Sequence, residues 1–343
     1  MTTSIASQLH RQTGLSLVEL MVAMAIGTFL LAGAITVFGK TRDLHRTNDA
    51  AARLQETARY AMSTIEADLR MANYWGLMSR ADLIENGPAL DLANPPDVDP
   101  SYALPAELSG YAGTINACGD MWAVKLPAYI EATDSYTFGC AAEGDGAVAG
   151  ADTLTIRRAS TEVIAGGAPL TDSAGRIKLQ TSRVQGTLFS SATLPAGYLP
   201  PLSETRALVV NGYYVGQDSD DRDDTPSLRR KQLDMTGGAP TIADLQIVPG
   251  VEDLQVELGV DFGFNPDQNA DYFVQPGTAI PAGDQVVAVR VWLLVRSEQP
   301  EVGFTDGRTY DYASRTGANV LTPGDSFRRL LVSKTIALRN TRR

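Results

Sequence analysis

The sequence predicts an α+β fold: a long N-terminal helix, membrane-embedded in its first half, packed on a mainly antiparallel β-sheet domain with β elaborations. Three observations carry this. The 24 residues from Leu15 to Phe38 form an apolar run with one charge, Glu19. Residues 40–75 contain neither Pro nor Gly and repeat apolar side chains at helical spacing. Beyond Gly76 the chain changes to short β-like runs separated by turn residues.

Residues 1–14 form a short hydrophilic leader ending at Gly14. At 1.5 Å per residue, residues 15–38 reach about 36 Å as a helix, enough to span a hydrocarbon core of roughly 30 Å. A secretory signal is cut after its apolar region, whereas here the small residue comes before it. A carboxylate in lipid is expensive, so Glu19 asks for a functional reason. Lys40, Arg42 and Arg46 flank the far end of the run and only Arg11 the near end. That bias alone favours the opposite orientation, but long C-terminal domains translocate largely regardless of flanking charge.

Residues 39–76 continue the helix in amphipathic form. Leu54, Ala58, Ala61, Ile65 and Leu69 share one face, with Glu56, Arg59, Ser63, Glu66 and Arg70 elsewhere on the wheel. The pairs Asp49–Arg53 and Glu66–Arg70 add i,i+4 support, and Gly76 reads as the stop. Residues 77–205 are β-rich and read as an insertion or a second lobe. Within them 86–105 hold five prolines and read as a surface loop. Candidate strands are 121–126, 152–158 and 176–181, then 206–215, 253–260, 285–296 and 330–338. In the last third, Val287, Val289, Val291, Leu293 and Val295 alternate with a second, mostly apolar face.

Composition excludes several functions. Net charge is −11, which argues against sequence-independent binding of nucleic acid, since that needs Lys and Arg to displace counterions. Trp75, Trp122 and Trp292 do not cluster with basic residues and read as core rather than as a stacking platform. The two histidines are His10, in the leader, and His45. A Ser-His-Asp site or a multi-histidine metal site in the soluble part is therefore excluded. No glycine-rich phosphate loop is present. The expectation is a protein that is not an enzyme and uses no cofactor.

The stretch Arg11-Gln-Thr-Gly-Leu-Ser-Leu-Val-Glu-Leu20 and the apolar run after it resemble a type IV pilin precursor. The resemblance sharpens further on. Ala207–Val215, Pro226–Arg229, Ile247–Val256, Val286–Arg296 and Leu338–Asn340 look like the PilW family of minor pilins, so 206–343 read as a PilW-like C-terminal β region. The middle third is not matched. The resemblance implies cleavage between Gly14 and Leu15 by a membrane prepilin peptidase, N-methylation of Leu15, and an assembly role for Glu19. That carboxylate would meet the new amino terminus of a neighbouring subunit. Gly14 is expected because the peptidase must approach the backbone closely, where any Cβ intrudes.

The same resemblance implies a minor pilin that helps prime and assemble type IV pili, in a tip complex with other minor pilins and a tip adhesin, on the inner-membrane assembly platform. The C-terminal domain would lie in the periplasm before assembly and in the pilus afterwards. Cys118 and Cys140 would meet an oxidising compartment and form a disulfide, worth roughly 3 kcal/mol in the chain-entropy model; the alternative is two buried free thiols. Two other readings stay open: a type II secretion minor pseudopilin, and a competence pilin contacting DNA.

Two acidic stretches remain. Asp218 to Asp224 hold five Asp, but Arg222 interrupts them and the Gly and distal Glu of a calcium loop are missing. Asn265, Asp267, Asn269 and Asp271 alternate better and are weak calcium candidates against a polar hairpin loop.

Overall fold

The structure is a computed structural model that describes residues 14, 16–85, 103–164, 170, 175–199, 202–263 and 267–341. Helix α1 runs Leu17–Met71. The chain divides into two compact units, residues 1–52 and 53–343.

In the first unit the helix buries almost nothing. Leu17, Val18, Met21, Phe29, Leu30, Ile35 and Phe38 are all exposed. The segment is long and apolar enough to cross a membrane by length and composition.

In the second unit the helix has a buried face made of Leu54, Ala58, Ala61, Met62, Ile65 and Leu69, with Ala72 buried just beyond its end. This is the apolar stripe of the sequence. Burying each large aliphatic side chain there contributes about 1.5–3 kcal/mol. The helix ends at Met71, short of the expected residue 76. Asn73 turns left-handed at φ 60° and Gly76 at φ 80°, and neither conformation continues an α-helix. The freed carbonyls are capped from far along the chain. Asn340 Nδ2 donates to Ala72 O at 3.1 Å, and Asn73 Nδ2 donates back to Asn340 O at 2.8 Å.

Twelve strands lie among the described residues, in two sheets. The first eight are β1 (Ile84–Glu85), β2 (Ile130–Thr133), β3 (Thr153–Ile164), β4 (Lys178–Ser182), β5 (Gly186–Phe189), β6 (Ser203–Gly216), β7 (Ser227–Thr236) and β8 (Ala239–Pro249). They form one sheet in the order β1-β5-β4-β6-β3-β2. β7 pairs with the second half of β6, and β8 pairs with β7. Only the short β1–β5 pairing is parallel. The second sheet is wholly antiparallel, in the order β10-β9-β11-β12, with β9 Val251–Asp261, β10 Tyr272–Val274, β11 Gln285–Arg296 and β12 Arg329–Ala337.

The described strands of residues 77–205 belong to the first sheet. Of these, β3 and β4 hydrogen-bond directly to β6 on its two edges. Alternation along β6 shows how the sheet is covered. Tyr213 and Val215 join the core under α1, while Leu208 and Val210 join a second core on the opposite face. That second core is roofed by Leu108, Ile115, Met121, Trp122 and Leu126 and anchored by Trp75. β11 is likewise covered twice. Val289, Val291, Leu293 and Val295 face the α1 core, and Leu294 packs with Tyr310 and Tyr312 of the following segment. This explains its two apolar faces.

Residues 121–126 are a turn rather than a strand. Their backbone groups find local partners: Val124 and Lys125 N–H donate to Met121 O, and Met121 N–H to Asn116 Oδ1. The hairpin β7–β8 escaped the sequence reading because β7 carries Arg229, Arg230 and Lys231. Arg229 and Lys231 are nonetheless buried, held by Asp244 of β8 at 2.9 and 2.6 Å.

Candidate functional site

The start of α1 is built by Ser16, Val18 and Glu19. Ser16 N–H donates to Glu19 Oε2 at 3.1 Å, and Val18 N–H donates to Ser16 Oγ at 3.3 Å. This is a capping box, which satisfies N–H groups that a helix start otherwise leaves bare. Glu19 is exposed and sits in the first turn, where the helix dipole favours a negative charge. Gly14 has nothing within 4 Å of the position a Cβ would take. Leu15 lies outside the described residues. A carboxylate held at the head of an exposed apolar helix can accept a charge-assisted hydrogen bond from an ammonium group brought alongside it. No Pro interrupts the helix; Gly27, Gly33 and Gly39 are open positions.

The second half of α1 is locked to the sheet by a polar group that the periodic pattern of the sequence did not mark. Asp68 is buried on the helix and accepts four hydrogen bonds. They come from Arg158 Nε at 3.2 Å and Nη2 at 2.9 Å, Asn211 Nδ2 at 2.6 Å and Tyr213 OH at 2.5 Å. Burial, reinforced by the Asp68 charge, pushes the Tyr213 hydroxyl far above its usual range. At the solvent edge, Glu66 accepts from Arg70 and from Lys334 of β12, at 2.5 and 2.7 Å. Those hydrogen bonds, Lys334 first, hold its pKa below the ordinary value. The sequence does carry one trace of the Asp68 lock: an acid on the apolar side of an amphipathic helix, one residue before Leu69.

Cys118 and Cys140 are joined by a disulfide, with Cα atoms 4.4 Å apart. It tethers the roof of the second core to an aromatic ladder. Trp122 and Phe138 meet edge-on at 6.2 Å, Phe138 and Tyr136 at 5.2 Å, and Tyr136 and Tyr214 at 5.0 Å. Gly212 in β6 admits this layer, since a Cβ there would lie 2.9 Å from Phe138.

The calcium candidates are not assembled into a site. Asp267 Oδ1 accepts the Asn269 N–H at 2.8 Å, and Asp271 Oδ2 accepts the Phe262 N–H at 2.9 Å. Each therefore shapes the loop after β9, and Asn265 lies outside the described residues. In the other stretch, Asp218 Oδ1 accepts the Asp224 N–H at 2.7 Å. Among the described residues no group of three or more His, Cys, Asp or Glu is placed to hold a metal ion. Trp75 and Trp122 are buried, and Trp292 is half-buried against Arg290.

Comparison with known proteins gives matches at both ends. The prokaryotic N-terminal methylation motif matches residues 9–35. The family described as Type IV Pilus-assembly protein W matches residues 212–340, the region running from the end of β6 to the Asn340 cap. Pilin-like protein PilA3 of Thermus thermophilus is 42% identical over 64 residues, which are 18% of this chain and 28% of that protein. The chain thus spans under a third of that relative's length. A solved type IV-like pilin from Thermus thermophilus aligns over 56% of this chain and 80% of its own, at 17% identity and a TM-score of 0.28. The chain is thus similar to type IV pilus proteins in two places, at the N-terminal methylation motif and, over residues 212–340, to the PilW family.

Proposed function

We propose that this chain is a minor pilin that primes type IV pilus growth within a tip complex of other minor pilins and a tip adhesin. In this reading its role is structural, and it uses no cofactor. A prepilin peptidase cuts between Gly14 and Leu15, and Leu15 is N-methylated. The apolar half of α1 holds the chain in the inner membrane, on the assembly platform, with the second unit in the periplasm. The helix then moves into the pilus. The single observation that supports this best is the Glu19 side chain at the head of an exposed, membrane-length helix that begins inside a methylation motif.

The physical argument rests on compensation. Within its own helix the Glu19 carboxylate is engaged by the Ser16 N–H, and an axially shifted neighbour would bring its terminal amine to the same group. Each charge alone is expensive in lipid or in a filament core. Their pairing therefore sets register between subunits more than it adds net stability.

The test is Glu19→Val beside Glu19→Gln. Valine removes a charge from an apolar helix, so insertion is unharmed, and the scissile bond is untouched. Glutamine keeps a capping acceptor for Ser16 but no charge. Both variants are expected as processed membrane protein, starting at methylated Leu15 by intact mass, yet missing from sheared pilus fractions. Wild-type amounts of either variant in those fractions would remove the carboxylate from assembly.

A further inference from the structure

Among the residues where the two sheets meet is one that neither the motif matches nor the pilus reading uses. Asp152 directly precedes β3 of the first sheet, and it is fully buried. Its N–H donates to Leu254 O of β9, in the second sheet, at 2.8 Å. Its Oδ2 accepts the Val256 N–H from the same strand at 2.7 Å. The side chain thus stands where a paired strand would place a backbone carbonyl, and the two bonds form a one-residue ladder between the sheets. Oδ1 is buried and has no hydrogen-bond partner.

The charges around it oppose ionisation. Asp134, after β2, and Asp253, on β9, are both acidic. Arg315, from the segment after β11, is the facing cation, but it is already engaged by Asp253 at 2.8 and 3.0 Å. An ionised Asp152 would place a charge with one bare oxygen inside a seam lined by two more carboxylates. A neutral carboxyl keeps the Val256 bond without that penalty.

We infer that Asp152 is a protonation-gated latch between the two sheets, closed while its carboxyl is neutral and loosened when it ionises. This goes beyond the pilus reading and does not depend on it. Burial first, then the neighbouring acids, push the Asp152 carboxyl up from 3.8 to about 8. The sign follows from proton binding. The folded chain holds this proton over a pH range in which the unfolded chain has lost it. Stability is therefore intact at pH 4, declines as pH rises toward 8, and is level above that.

The experiment compares full-length wild type with Asp152→Asn in detergent micelles, by thermal unfolding from pH 4 to 9.5 and by hydrogen exchange at the Val256 amide. Asparagine is a permanently neutral, near-isosteric acceptor. The gap in midpoint between variant and wild type should widen from pH 4 to about 8 and then stay constant. Val256 protection should drop in wild type alone at alkaline pH. A second variant, Asp134→Asn, changes an exposed side chain and removes one of the opposing charges. It should shrink the alkaline loss in part, and it serves if Asp152→Asn does not fold. A wild-type profile parallel to both variants, or Val256 protection independent of pH, would overturn the latch.

Discussion

The carboxylate of Asp68, in the last turn of a long helix, lies 2.5 Å from the hydroxyl of Tyr213, on an inner strand of a sheet, 145 residues later in the chain. The bond fixes which turn of α1 meets which residue of β6. Apolar contacts alone would tolerate a slide of the helix, because Ala58 and Ala61 leave a smooth face. The hydrogen-bonded acid does not tolerate it, since it leaves Arg158, Asn211 and Tyr213 without their acceptor.

Asp68→Ala should accordingly destabilise the second unit by about 3 kcal/mol, the scale expected when one partner of a buried charged network is removed. Tyr213→Phe removes one bond and should cost about 1 kcal/mol. Denaturant titration of the full chain in detergent measures both. Equal costs for the two variants would mean that Asp68 is not the centre of the network.

The Glu66–Lys334 pair should be weak and pH-dependent. Lys334 is nearly half exposed, so solvent screening limits the pair to under about 1 kcal/mol. The Glu66 pKa is depressed by Lys334 and Arg70 below its ordinary 4.5. Its contribution is therefore present above pH 4.5 and is lost as pH falls through the lower folded value. Lys334→Gln should lower the unfolding midpoint slightly at pH 6 and not at all at pH 2.5. A larger effect at the acid end would contradict this assignment.

Reducing the Cys118–Cys140 bridge frees a loop with a sequence separation of 22. In the chain-entropy model that costs roughly 3 kcal/mol. The loss should appear as a lower thermal midpoint in dithiothreitol, with two alkylatable thiols by mass. The roof at Met121–Leu126 should show the earliest rise in hydrogen exchange, because it has no ladder to fall back on.

Gly76→Ala should be harmful even though it adds one methyl group. The residue has φ 80°, and a Cβ would fall on the Glu204 carboxylate and 2.9 Å from Thr181 Oγ1. Glu204 cannot swing aside freely, being held by Arg206 at 2.7 and 3.0 Å. A loss of about 1–3 kcal/mol is expected. Gly110→Ala, at φ −63° with open space around it, is the control and should be near neutral.

Legibility in the sequence tracked periodicity. The buried stripe from Leu54 to Leu69 and the alternation in β11 follow from side-chain spacing, and both sit in the core as spaced. The first half of α1 was legible because an unbroken apolar run with a single acid leaves a helix as the natural reading. What stayed hidden depends on long-range partners. The β7 cations look like a solvated stretch until Asp244 is placed beside them. Met121–Leu126 looks like a strand until Asn116 and the local turns take its amides. Asp68 looks like surface charge until three donors from β3 and β6 converge on it.

The cap that closes α1 has a consequence for the order of events. Asn340 reaches carbonyls 268 and 270 residues earlier in the chain, a separation that makes this closure a late step in folding. During synthesis the helix therefore exists while its end at Met71 still lacks its cap. Only when residue 340 has been made can Asn73 and Asn340 clasp. A chain interrupted before that point carries an intact helix on an unfinished domain, with Arg70 and Ala72 carbonyls open to solvent and proteases. Completion of the fold thus reports completion of the chain.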